Sequence, residues 1–260
     1  PADLETFLDA IHRERPQCVI APHVETSAGM LLPDSTLRAI ADATHAVGGL
    51  FILDCVASGC LWVNMEETGV DVIITAPQKG WSSTPCAGVV LMSARAAAQL
   101  ERTNSDSYAL DLKKWRQIMA AYENGGHAYH ATMPTDGLIQ FYRTYQEMAK
   151  IGFAELKMRQ IALGQKMRSL LEDAGFKSLA GPGFQSPTVI VSHTNRDDFK
   201  NTQAFLAAGV QVAAGVPLEC NESADFKTFR VGLFGIDKLM HIDQTVAHFE
   251  LALNTLHEPA

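Results

Sequence analysis

Four short apolar runs, separated by a helical pattern or a tight link, constrain this chain more than any other feature. "CVIAPHV" begins at Cys18, "LFILDCV" at Leu50, "GVDVIITA" at Gly69 and "AGVVLMS" at Ala87. Between the first two lies "DSTLRAIADATHAVGG", with Asp34 or Ser35 as helix cap. Leu37, Ile40, Ala41 and Val47 stand at helical spacing there, and Gly48 and Gly49 form the stop. Continuous apolar runs alternating with helices predict a largely parallel sheet covered on both faces. The link between the third and fourth runs, "PQKGWSSTPC", is too short for a helical crossover, so the fourth strand is predicted to be antiparallel.

The texture changes near Leu138. Leu138, Phe141, Tyr142, Tyr145 and Met148 recur at helical spacing, and a second helical pattern runs on to about Asp173 before Gly175. Three strand candidates follow, "PTVIVSHT", "GVQVAAG" and "TFRVGLFG", with a helix predicted from Asp198 to Ala208. A closing helix places Leu239, Ile242, Val246, Phe249, Leu253 and Leu256 on one stripe. These signals divide the chain into residues 1–132, an α/β region, and residues 133–260, a smaller α+β region.

Composition narrows the function classes. With 47% hydrophobic and 19% charged residues the chain reads as globular, and a net charge of −8 argues against a nucleic-acid surface, which would need a basic face. No run approaches the roughly 18 apolar residues of a membrane helix, and "PADLETFLDAIHRERP" lacks a signal-peptide pattern. The expectation is a cytoplasmic protein with no membrane partner. Five cysteines without a CxxC pair indicate neither a disulfide framework nor a zinc site, and are expected to be reduced and mostly buried. His127 and His130 have no acidic or thiol partner at ligand spacing, so no metal is expected.

In open α/β sheets ligands sit outside the carboxyl ends of the parallel strands. Three such ends carry polar groups: "PHVETS", Asp54 and "TAPQK". If the strands are neighbours, Thr26, Asp54, Gln78 and Lys79 converge on one crevice. Singly, each residue has an ordinary structural role as surface charge, cap or turn former. The chain has neither GxGxxG nor GxxxxGK[ST], so the common phosphate loops do not explain the crevice. An amine and a carboxylate at adjacent strand ends match the needs of pyridoxal phosphate. The amine can form a Schiff base, and the anion keeps the pyridine nitrogen protonated so that the ring draws electrons.

Five ordered motifs, "HVETSAGM", "FILDCVAS", "TAPQKGWSSTPCAG", "AYHATMP" and "FRVGLFG", give the chain a resemblance to class V, fold type I aminotransferases of the alanine-glyoxylate and serine-pyruvate kind. The resemblance runs from about Gln17 to the C-terminal helix. It implies the C-terminal part of a large, mostly parallel-sheet domain followed by a smaller α+β domain. It further implies that Lys79 binds the cofactor and shuttles a proton at the substrate's alpha carbon, and that Asp54 bonds the ring nitrogen. By the same resemblance Val56 packs on the ring, Thr26 bonds the phenolic oxygen, and Gln78 binds the phosphate. Tyr129 and Thr132 match positions that reach the phosphate of a neighbouring subunit, which implies a homodimer with shared sites. Arg230 would clamp the substrate carboxylate. The implied reaction carries an amino group from alanine or serine to glyoxylate or pyruvate, with ureidoglycine or another small amine as an alternative donor. Cysteine or kynurenine chemistry fits less well, because Gln78 stands where the desulfurase pattern usually has histidine.

The resemblance also marks a departure. Family members are usually longer at the N-terminal end, where they carry a dimer-packing helix, further strands, a phosphate-holding loop and a ring-stacking aromatic. None of these is found upstream of "PADLETF". The expectation is therefore a fragment, and a catalytically incompetent remnant that only folds or associates is the competing functional reading.

Overall fold

The structure, a computed structural model, describes residues 3–257. In chain order the first half comprises α1 (Leu4–Glu14), β1 (Cys18–Pro22), a small hairpin of β2 (Val24–Glu25) and β3 (Met30–Leu31), α2 (Asp34–Ala46), β4 (Leu50–Asp54), α3 (Met65–Thr68), β5 (Val72–Thr75), β6 (Val89–Met92), α4 (Ala94–Leu100) and α5 (Leu112–Glu123). The second half comprises α6 (Thr135–Ile151), α7 (Phe153–Asp173), β7 (Val189–His193), α8 (Asp197–Lys200), α9 (Gln203–Ala207), β8 (Ala213–Ala214), β9 (Thr228–Gly232), α10 (Ile236–Met240) and α11 (Ile242–His257).

The four apolar runs form one sheet in the order β1-β4-β5-β6. The first three strands are parallel and β6 runs antiparallel, as the short link requires. Pro22 stands opposite Asp54, and Asp54 opposite Ile74, so three carboxyl ends share one edge.

The helices do not cover both faces. Val19, Ala21, Phe51, Leu53 and Ile73 are buried in one core with Ile11, Leu37, Ile40 and Ala41. On the opposite face Ile20 is 68% exposed and Ile74 is 37% exposed. The cause is connection handedness. The crossovers from β1 to β4 and from β4 to β5 move the same way along the sheet, and right-handed crossovers then lie on the same face. The Asp54 side chain belongs to the uncovered face, in a row with Pro22, Ile74 and Val90.

A second core joins Met148, Leu156, Leu163 and Met167 to Phe199, Phe205 and Phe229, and it takes in Cys60, Trp62 and Trp81 from the first half. Its sheet is antiparallel, in the order β7-β9-β8.

Local details depart from expectation in four places. Pro33, not Asp34 or Ser35, occupies the cap of α2 and makes no side-chain cap bond; Asp34 instead opens the first turn, where its charge suits the helix dipole. The helix expected from Asp198 to Ala208 is two short helices, because Thr202 adopts a left-handed φ of 70° between them. The closing stripe is split, with Leu239 on α10 and the other five residues on α11 after a break at His241. Of the five cysteines only Cys55 and Cys60 are buried, while Cys18 and Cys220 are exposed.

Candidate active site

Asp54 is the last residue of β4, and its exposed carboxylate is held from within its own turn. The Val56 backbone N–H donates to Asp54 Oδ1 at 2.9 Å, leaving the second oxygen without an intramolecular partner among the described residues. That turn, residues 54–61, is also where the other site elements meet. The Cys55 N–H donates to the Ile74 carbonyl at 2.7 Å and ties the turn to β5. Thr188 Oγ1 donates to the Ala57 carbonyl at 2.8 Å and ties it to the second core.

Gly59 and Gly80 then make a backbone-to-backbone contact with no room for a side chain. An added Cβ on Gly80 would lie 2.1 Å from the Gly59 carbonyl oxygen. Cys60 Sγ donates to the Gly80 carbonyl at 3.6 Å across the same junction. The turn holding Asp54 and the loop holding Lys79 are thereby in contact along their backbones.

The lysine loop is tight. Ser82 N–H donates to the Lys79 carbonyl at 3.0 Å and Ser83 N–H to the Pro77 carbonyl at 2.9 Å, with Ser82 at φ 57°. The Lys79 ammonium lies 5.4 Å from the centroid of the Phe234 ring, just beyond β9. Ser82 Oγ accepts the Ile236 N–H at 2.8 Å, which fastens the loop to the start of α10. Among the described residues Lys79 has no carboxylate within ion-pair distance, and Ser83 Oγ is buried with no hydrogen-bond partner. Trp81 packs away from this opening, against Trp62 at 4.8 Å and Phe141 at 5.8 Å.

Arg230 sits in the middle of β9, opposite Val191 of β7 and Ala213 of β8. Its Nε donates to the Ala214 carbonyl at 2.7 Å, which fixes the plane of the guanidinium and leaves its two terminal nitrogens without an intramolecular partner among the described residues. Thr26 follows the β2 strand and is half-buried, and Val56 is half-buried beside Asp54. Gln78 is exposed next to Lys79. Among the described residues the side chains of Thr26 and Gln78 make no hydrogen bond, in contrast to Ser27, whose hydroxyl donates to Glu25 Oε1 at 2.7 Å.

Tyr129 and Thr132 are placed differently. Their hydroxyls are 3.2 Å apart, Tyr129 is 77% exposed, and neither bonds to the turn of Asp54 or to the lysine loop. His130, by contrast, is engaged internally, with Nε2 2.8 Å from the Tyr108 carbonyl and its ring against Trp115. Sequence reasoning assigned no site role to His23. It is buried, its Nδ1 is 2.7 Å from Ser58 Oγ, and burial pushes its pKa down to about 4. No periodicity marks that pair, because its partners are 35 residues apart.

Comparison with known proteins shows the family and the fold. The model of the family described as aminotransferase class-V matches residues 2–234. The chain belongs to the class V aminotransferase family. Membership implies pyridoxal phosphate as cofactor. The 2-aminoethylphosphonate–pyruvate transaminase 2 of Paraburkholderia xenovorans strain LB400 is 27% identical over 254 residues, which cover 95% of this chain and 66% of that protein. Alanine–glyoxylate aminotransferase of Oryctolagus cuniculus is 23% identical over 241 residues, covering 89% of this chain and 59% of that one. Among solved structures, alanine–glyoxylate aminotransferase from Nostoc sp. superposes with a TM-score of 0.80 at 24% identity, covering 96% of this chain and 65% of that one. The ureidoglycine–glyoxylate aminotransferase of Bacillus subtilis gives 0.77 at 21% identity, covering 97% and 64%. The fold is therefore that of the fold type I aminotransferases. The class V chain spans 66% or less of the length of each of these four proteins. No helix among the described residues is long and apolar enough to cross a membrane.

Proposed function

We propose that this chain is the lysine-bearing part of a cytoplasmic pyridoxal-phosphate-dependent transaminase that moves an amino group from alanine or serine to glyoxylate or pyruvate. In this reading residues 1–132 belong to the cofactor-binding unit and residues 133–260 form the smaller unit. The observation that carries it is the set of uncommitted polar groups at the carboxyl edge of the sheet: the Lys79 amine, one oxygen of Asp54, the Thr26 hydroxyl and the Gln78 amide. Polar groups left without partners at strand ends suit a polar cofactor, and the buried Ser83 hydroxyl adds to the unmet hydrogen bonding.

When bound, the cofactor supplies an electron sink that lets an amine nitrogen leave one carbon skeleton and join another. Lys79, released from carboxylate pairing, acts as the base that moves a proton at the substrate's alpha carbon. Asp54 holds a proton on the ring nitrogen through its free oxygen. Gln78 holds the phosphate, Thr26 donates to the phenolic oxygen, and Val56 packs on the ring. Arg230 binds the substrate carboxylate with its two free terminal nitrogens, a match to the planar, bidentate geometry of that group. Tyr129 and Thr132, exposed and with no hydrogen bond to their own lysine loop, serve the phosphate of a second copy, which makes the homodimer part of the proposal. Pyruvate or glyoxylate occurs in the names of all four similar proteins above, whereas the donors differ, so the acceptor class is the firmer half of the reading.

The test is addition of pyridoxal phosphate followed by borohydride and peptide mass analysis, with an amino-acid panel run against glyoxylate and pyruvate. Cofactor mass fixed on Lys79 and turnover that Lys79→Ala abolishes are expected. Turnover retained by Lys79→Ala overturns the mechanism. Because the chain spans 66% or less of its relatives, fixation without turnover would show cofactor binding without catalysis by this chain alone, whereas absence of fixation supports the competing reading of a remnant that only folds or associates.

A further inference from the structure

What orients Asp54 is not obvious from its own surroundings, since its carboxylate is exposed and lies on the uncovered face of the sheet. The Val56 N–H that holds Oδ1 can fix the carboxylate only if the turn carrying Val56 is itself fixed. Two contacts outside that carboxylate close the turn. The Ser58 N–H donates to the Cys55 carbonyl at 3.2 Å, and Ser58 Oγ meets His23 Nδ1 at 2.7 Å, with Ser58 and His23 each 3% exposed.

His23 is in turn anchored at both backbone groups. Its N–H donates to the Asp54 carbonyl at 2.9 Å, and its carbonyl accepts the Leu32 N–H at 2.9 Å. A closed ring of hydrogen bonds results: Asp54 carbonyl to His23 backbone, His23 ring to Ser58, Ser58 N–H to Cys55, and Val56 back to the Asp54 carboxylate. The imidazole is neutral at pH 7 because burial disfavours its charged form. It therefore braces the turn without placing a cation beside Asp54.

We infer that His23 and Ser58 are positioning residues whose mutual hydrogen bond sets the Asp54 carboxylate for its partner. The inference rests on the proposed cofactor role of Asp54 for its purpose, and on the hydrogen-bond ring alone for its geometry. Outer groups that orient a ligating side chain are worth about 10- to 100-fold in affinity at metal sites, and the same logic applies to a carboxylate held through one turn.

The experiment has two arms. In the first, amide exchange of Val56 is followed in the ligand-free protein, with the Leu53 amide of β4 as internal reference. Ser58→Ala and His23→Leu should each speed Val56 exchange about tenfold while Leu53 is unchanged, and the double variant should be no worse than either single one. His23→Asn, which can place a hydrogen-bonding atom near the position of Nδ1, should restore the wild-type rate. Unchanged Val56 exchange in Ser58→Ala, or equal acceleration of Leu53, overturns the inference. In the second arm pyridoxal phosphate is titrated into the same proteins, and Ser58→Ala should weaken binding about tenfold. Binding that is tight in the wild type and unaltered in Ser58→Ala overturns the inference too. A wild type that binds no cofactor refutes the proposed function, and the amide arm then decides the positioning role by itself.

Discussion

Gly80→Ala probes the junction between the two halves of the candidate site. Gly80 is not in the left-handed region, so the penalty is one of space rather than of backbone conformation. The new methyl carbon would lie 2.1 Å from the Gly59 oxygen, 2.5 Å from its carbonyl carbon and 2.9 Å from its Cα. Ordinary contact begins near 3.4 Å, so the two backbones must part by more than 1 Å at the point where Cys60 Sγ also bonds the Gly80 carbonyl. No flexible side chain can absorb the overlap, because all three atoms are backbone. Overpacking of this kind costs about 1–3 kcal/mol, and a clash against backbone belongs at about 3 kcal/mol. With a urea slope of about 3 kcal/mol per molar, the unfolding midpoint should fall by about 1 M. The same displacement moves Lys79 away from Asp54, so cofactor affinity should fall together with stability. Gly88→Ala is the control, since an added Cβ there meets nothing within 4 Å. A Gly80→Ala loss below about 0.5 kcal/mol, the size of an ordinary surface change, would refute the claim that Gly59 and Gly80 lock the loops together.

Stability should fall with acidity through His23. Its folded pKa, about 4, lies below the ordinary value of 6.5, with burial the main cause, the Asp34 charge opposing it and Lys157 adding to it. The unfolded chain therefore takes up a proton that the folded chain refuses, so stability declines as pH drops through 6.5 and the loss is complete near 4. At pH 5 the loss is about 2 kcal/mol, and a His23→Gln variant with an unchanged stability difference between pH 7 and pH 5 would count against it. Cysteine reactivity should follow burial: the thiols of Cys55 and Cys60 are pushed up to about 12, whereas Cys18 and Cys220 are exposed. Iodoacetamide at pH 8 should label Cys18 and Cys220 in the native protein, and early label on Cys55 or Cys60, read by peptide mass, would contradict the burial.

Sequence patterns carried the raw material of the strand order and two candidate site residues, Asp54 and Lys79. The apolar runs became strands because they are short, rich in β-branched residues and bounded by turn-forming residues. The ten-residue link before β6 admitted no crossover and so fixed its direction. Asp54 and Lys79 stood out as candidates because a carboxylate and an amine at adjacent strand ends together match the needs of pyridoxal phosphate, whereas Arg230 was read only from the resemblance carried by "FRVGLFG". The segment of α4 and α5 gave no comparable signal, and none of the residues of α5 is buried.

The sequence by itself determined the four runs of the larger sheet and the three of the smaller one, though not the β2-β3 hairpin, and also which way β6 runs and which charged groups the strand ends carry. Only the tertiary structure decided that one sheet face stays open, since the face a right-handed crossover covers depends on the order in which strands are laid down. It alone decided that Gly59 touches Gly80, that Thr188 reaches Ala57, and that His23 reaches Ser58. Those contacts join residues tens of positions apart, and their partners are chosen by packing of the whole chain rather than by any local period.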